Sequence, residues 1–171
     1  MVSIRKLMSI CMLCIVILTV GCTSSSTENK LPKSKPDDFN FILNYGITAK
    51  NQLNTVDGTY TKDMIGEGTL TTNLKLSEEE MNDIYKTMRN IDILSYPGIF
   101  TPESNTGQTP FPTYWIRIFY EGKEKRIYWE DEKDSKTKEA VKLRELYKKI
   151  HEIVVEKEEY KKLPKPKGGY A

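Results

Sequence analysis

An unbroken run of fourteen uncharged residues, Leu7 to Val20, constrains this chain more than any other feature. It follows two positive charges, Arg5 and Lys6, and closes on Gly21-Cys22. A membrane-spanning helix needs about 20 apolar residues, whereas the apolar core of a secretory signal is about this short. The polar stretch Thr23-Ser24-Ser25-Ser26-Thr27 comes directly after it, so the run does not extend into a longer span. The pattern predicts that residues 1–21 are an address removed from the mature chain. The fold must then be built from residues 22–171.

Removing that address changes the chemistry available. Cys11 and Cys14 leave with it, and Cys22 becomes the only cysteine, so no intramolecular disulfide can staple the body. The Cys11-x-x-Cys14 spacing inside an apolar run reads as filler rather than as a redox or metal pair. Lys and Arg total 26 against 24 acidic residues; without Arg5 and Lys6 the two counts are equal at 24. A neutral mature chain argues against nucleic acid as a partner. The chain has one histidine, His151, which excludes a His-rich metal site. Residues 22–38 carry Ser, Thr, Lys, Asn and two prolines, with Leu31 as the only large apolar side chain. Such a stretch predicts a disordered tether. A body over 39–160 remains, about 120 residues, large enough to hold a core without cross-links. A Pro/Gly/Lys-rich tail over 161–171 completes the chain.

Within the body, two periods alternate. Phe39, Phe41, Leu43, Tyr45 and Ile47 recur at every second position and predict a strand. Residues 50–56, Thr59–Thr61 and Thr69–Leu76 predict further strands, with Asp57-Gly58 as a hairpin turn. Ser77 and Glu80 form a capping box, and Met81, Ile84, Tyr85, Met88 and Ile91 come after it at helical spacing as a core-facing stripe. Four prolines and two glycines between 97 and 112 impose a long irregular connection, with Phe100 and Phe111 able to pin it. Residues 113–121 and 124–130 make the clearest hairpin, with Gly122 at its turn. From about Ser135 to Glu156, Ala140, Leu143, Leu146, Tyr147, Ile150, Ile153 and Val154 share a helical face. The order is strands, helix, strands, helix. It predicts an α+β fold: an antiparallel sheet with two amphipathic helices packed on one face.

Tests for catalytic chemistry come back empty. No phosphate-binding glycine loop is present, and the Asp57-Gly58 region fails the EF-hand spacing. His151 sits between Ile150 and Glu152 in a helical pattern and reads as a surface histidine. Glu130, Asp131, Glu132 and Asp134 cluster after the second hairpin strand, but Lys133 and Lys136 interleave them, as in a solvated loop. No catalytic set, metal set or cofactor motif emerges. Aromatics are the one excess, at 10% of the chain. Tyr114, Trp115, Phe119, Tyr128 and Trp129 concentrate on one hairpin, as a filled core or as a binding surface for glycans or proteins.

Leu18-Thr19-Val20-Gly21-Cys22 resembles the lipobox of bacterial lipoproteins, with Thr19 where leucine is commonest. The resemblance implies cleavage between Gly21 and Cys22 and diacylglyceryl attachment, with further acylation such as palmitate, on Cys22. The domain would then lie on the extracytoplasmic side of the cell membrane. The body resembles small uncharacterised lipoproteins of Gram-positive bacteria at Asp57-Gly58-Thr59-Tyr60, Leu76-Ser77-Glu78-Glu79-Glu80-Met81 and Lys162-Leu163-Pro164-Lys165-Pro166-Lys167-Gly168-Gly169-Tyr170. That family implies no activity. The expectation is a membrane-anchored, non-catalytic binding or interaction module, with an envelope protein or a glycan as partner. The alternatives are an envelope hydrolase using the 130–134 carboxylates and a structural subunit of an envelope complex.

Overall fold

The computed structural model describes residues 30–103, 107, 109–132 and 135–170. The chain is α+β, as its two periods predict. In order, the elements are β1 (Asn40–Tyr45), β2 (Asn51–Asn54), β3 (Thr59–Asp63), β4 (Thr69–Asn73), α1 (Glu78–Asn90), a 3₁₀ turn (Ile93–Ser95), β5 (Thr113–Tyr120), β6 (Lys123–Glu130), α2 (Lys138–Glu156) and α3 (Glu158–Lys161). The strands form one sheet in the order β4-β3-β2-β1-β5-β6, and each neighbouring pair is antiparallel.

Strand alternation separates the sheet into two faces. Phe41, Leu43, Leu53, Tyr60, Ile116, Ile118, Ile127 and Trp129 are buried, and they share one core cluster with Ile84, Tyr85 and Met88 of α1 and with Leu143, Leu146, Tyr147 and Ile150 of α2. The β5–β6 turn is two residues long, and Glu121 and Gly122 both have positive φ, 48° and 68°. That is the twist-matched geometry of a tight hairpin, and it favours glycine at the second position. The Asp38 carboxylate accepts from the backbone N–H groups of Glu121 (2.8 Å) and Gly122 (2.7 Å). These bonds fix the entry of β1 against the turn.

The expected capping box is present. Ser77 Oγ accepts from Glu80 N, and Glu80 Oε2 accepts from Ser77 N at 2.6 Å. Lys157 Nζ lies 2.6 Å from the same Glu80 oxygen, tying the start of α1 to the end of α2.

Two terminal segments pack against the body. The tether expectation fails from residue 31 onward. Leu31 is buried in the core cluster, Tyr85 Oη donates to the carbonyls of Pro32 and Ser34, and Arg89 Nε donates to that of Leu31. Lys35 pairs with Glu78 at 3.0 Å. Burying one leucine contributes about 1.5–3 kcal/mol, and α1 adds donors for the carbonyls of the segment; both act against its ordering cost. The tail is likewise docked. Lys62 Nζ donates to Pro164 O at 3.0 Å, Ile65 bridges Lys167, and Tyr170 Oη donates to Asp63. Lys62 occupies a core-side position of β3, and the tail carbonyl together with the Tyr160 ring (4.5 Å) accommodates its amine there.

Candidate functional site

The β5–β6 register divides the five hairpin aromatics. Tyr114 pairs with Trp129 on the core side; Trp115 pairs with Tyr128 on the other side. Trp129 is 1% exposed and Trp115 is 46% exposed. Tyr114 is half-buried, stacked on Tyr147 with ring centroids 4.4 Å apart, and burial pushes its hydroxyl up to about 12. Phe100 wedges edge-on against Trp129, pinning the 97–103 connection, and Gly98–Phe100 hydrogen-bonds to both sides of Tyr128 along the β6 edge. Of the proposed binding surface, Trp115, Phe119 and Tyr128 therefore share the non-core face, whereas Tyr114 and Trp129 belong to the interior side.

Register carries that outer face across the whole sheet. Ile99 bridges Tyr128, Tyr128 opposes Trp115, Trp115 opposes Asn44, Asn44 opposes Gln52, Gln52 opposes Thr61, and Thr61 opposes Thr71. Directly opposed residues project to the same side. Gln52 Nε2 donates to Asn44 Oδ1 (3.2 Å), Asn44 Nδ2 donates to Ala49 O (3.2 Å), and the Thr61 and Thr71 hydroxyls lie 2.8 Å apart. The row beside it holds Arg126, Arg117 and Ile42. Glu124 accepts from both arginines at 2.7 Å, and Arg126 and Arg117 hold its carboxyl down to about 2. The Asn44, Gln52, Thr61 and Thr71 half of the row was missed from sequence. Its signal was present as polar residues alternating with Leu43, Leu53 and Tyr60.

A second concavity lies at the sheet end formed by Tyr45 and Pro112. Tyr45, Tyr114, Tyr147 and Val141 give this groove of about 520 Å³ a mainly apolar lining, with Arg144, Lys148 and His151 along its rim. Ligand sites usually fall between about 300 and 1,000 Å³. His151 is exposed on α2, as expected, but its ring is engaged. Its Nδ1 lies 3.1 Å from Tyr45 Oη, which lies 2.9 Å from Tyr60 Oη, which donates to Asn51 Oδ1 at 3.3 Å. Asn51 Oδ1 also accepts from Asp63 N, so it is the acceptor end. One proton order satisfies all three contacts: His151 Nδ1–H donates to Tyr45, Tyr45 to Tyr60 and Tyr60 to Asn51. Burial lowers the His151 pKa below its usual value, favouring the neutral ring. Tyr147 Oη, by contrast, is buried without a hydrogen-bond partner among the described residues.

The described carboxylates after β6 do not act together. Asp131 is buried and accepts two hydrogen bonds from Arg144, at 2.5 and 2.6 Å, and the Arg144 guanidinium also lies over the Trp129 ring. Glu130 accepts from Tyr128 Oη at 2.5 Å, and Glu132 is exposed. Glu130, Asp131 and Glu132 line a pocket of only about 130 Å³, well below the usual ligand range. Among the described residues no group of three His, Cys, Asp or Glu side chains is placed to hold a metal, and no helix is long and apolar enough to cross a membrane. Gly21, Cys22, Lys133 and Asp134 lie outside the described residues. No family model, no curated protein and no solved structure matches the chain.

Proposed function

We propose that this chain is a lipoprotein anchored through Cys22 to the extracytoplasmic side of the cell membrane, with a non-catalytic binding domain. In this reading both amphipathic helices cover one face of the sheet and the opposite face meets the partner. The observation that carries it is the outer sheet face. Trp115, at 46% exposure, and Tyr128 sit at its β5–β6 end, flanked by Ile99 at 69%. Large exposed aromatics on a rigid, hydrogen-bonded platform are the side chains that bind partners at small ordering cost. The scattered commitments of Asp131 and Glu130 leave the hydrolase reading without a catalytic pair among the described residues.

Two measurements test the reading. Fractionation of cells should find the wild-type chain with the membrane and Cys22→Ala in the soluble fraction; a Cys22→Ala chain that stays with the membrane would sink the anchor. A photo-crosslinking side chain placed at Trp115 should capture an envelope component, and the same group at Lys142, on the exposed side of α2, should not. Equal capture at both positions would remove the sheet face as the binding surface.

A further inference from the structure

Resting on the binding-module reading, we infer that the outer sheet face binds an extended, uncharged oligosaccharide laid across the strands along the Ile99–Thr71 row. Three observations specify this ligand.

The first is the chemistry of the row. Ile99, Tyr128 and Trp115 supply apolar and aromatic surface at one end; Asn44, Gln52, Thr61 and Thr71 supply amides and hydroxyls at the other. A pyranose ring presents an apolar C–H face, which stacks on an aromatic side chain, and an equatorial belt of hydroxyls, which pairs with amides and hydroxyls. The row offers both to one ligand.

The second is charge. None of the seven side chains is ionised at neutral pH. Beside the row, Arg117, Arg126 and Glu124 are engaged with one another, and the Glu130 carboxylate accepts from Tyr128 Oη. The row itself offers an acidic polymer no cation and a basic one no carboxylate. A neutral polyhydroxylated chain needs neither.

The third is length and order. Six strand-to-strand steps of about 4.8 Å make the row about 29 Å long, far more than one sugar ring spans. Its polar members are held in place before any ligand arrives. Gln52 bonds to Asn44, Asn44 bonds to the Ala49 carbonyl, and Thr61 bonds to Thr71. Gln52 Oε1 is left as an acceptor with no partner among the described residues. Fixed donors and acceptors on hydrogen-bonded strands lower the entropy lost when a flexible chain binds.

The test uses the full chain in a sugar-free detergent. Trp115 is exposed and Trp129 is buried, so a ligand on the row should alter the emission of one tryptophan and spare the other. The probes are cellohexaose, maltohexaose and the β-1,4-linked hexamer of N-acetylglucosamine, each beside its disaccharide. At least one hexamer should shift the emission at micromolar to millimolar concentration, with its disaccharide about tenfold weaker or more. By calorimetry, Trp115→Ala should weaken that hexamer by about tenfold and Gln52→Ala by several-fold. Val56→Ala, an exposed change on the β2–β3 turn, should leave binding unchanged. Trp115 and Gln52 lie outside the core, and matching melting curves confirm that their variants fold. The proposal is overturned if no hexamer binds at millimolar concentration, if hexamer and disaccharide bind alike, or if Trp115→Ala binds as the wild type does. Sugar failure with specific capture of a purified envelope protein through Trp115 would overturn the glycan and keep the binding module. Failure of both would end both.

Discussion

Trp115 and Trp129 are fourteen positions apart, on paired strands, and project to opposite faces of the same hairpin. Register alone decides their roles, because each strand side chain alternates between faces with period two. Trp129 is among the largest fully buried side chains and contacts Phe100, Tyr114 and Arg144. Its replacement by alanine should lower stability by about 3–5 kcal/mol. Trp115→Ala should change stability by no more than about 0.5 kcal/mol. Urea unfolding followed by far-ultraviolet circular dichroism separates the two; comparable losses would mean that Trp115 is part of the core. The alternation within the hairpin was legible in the sequence, and Ile116, Ile118 and Ile127 set against Arg117, Glu124 and Arg126 mark the buried face. The aromatics alone do not choose it, because both sets carry them. Tyr147 and Phe100, which are distant in sequence, supply partners on one side only.

At the level of elements, the helix start at Ser77 was legible because a capping box is a local code. The box closes as its residues require. The contact beyond it was not legible: Lys157, at the far end of α2, reaches the same Glu80 carboxylate. Burial pushes the Glu80 carboxyl up, but Lys157 and the Ser77 N–H outweigh it, and its pKa falls below the ordinary 4.5. A carboxyl with a lower pKa when folded binds fewer protons in the native state than in the unfolded one. Its stabilisation is therefore complete above the unfolded value of about 4.5 and is lost as pH falls through the folded value. Glu80→Gln should flatten that acid limb, seen as a smaller drop in urea midpoint between about pH 5 and pH 3. An unchanged slope would assign the acid sensitivity to other groups, of which Asp63 beneath the docked tail, its carboxyl also held low, is the nearest comparison. The tail and the Leu31 segment were illegible for a related reason. Their composition is that of unstructured chain, and single residues decide the outcome: one leucine fills a slot on α1, and one carbonyl meets the buried amine of Lys62.

For the whole molecule, under the proposed anchor, the docked N-terminal segment would set how the domain stands on a membrane. With the proposed lipid on Cys22, nine Cα-to-Cα steps lead from the anchor to buried Leu31, and a fully extended chain of that length spans at most about 30 Å. Had the segment been free to Asp38, the reach would have been nearly twice that. Asp38 holds the β5–β6 turn, so the segment joins the body at that end of the sheet. The Gly46–Lys50 connection, beside the apolar groove, is at the other end of β1. A body tethered this way should present the β5–β6 turn toward the lipid and the groove away from it. With Cys22 consumed by the proposed lipid, a cysteine introduced at Lys123 or at Lys50 can be labelled alone. In vesicles containing quencher-labelled headgroups, the Lys123 label should be quenched more strongly than the Lys50 label. Leu31→Asp, which ejects the segment from its slot, should bring the two values together. Equal quenching in the chain with Leu31 intact would show that the packed segment does not orient the domain. In that case the outer face, which runs edge-on to this axis, would gain no fixed direction from the anchor.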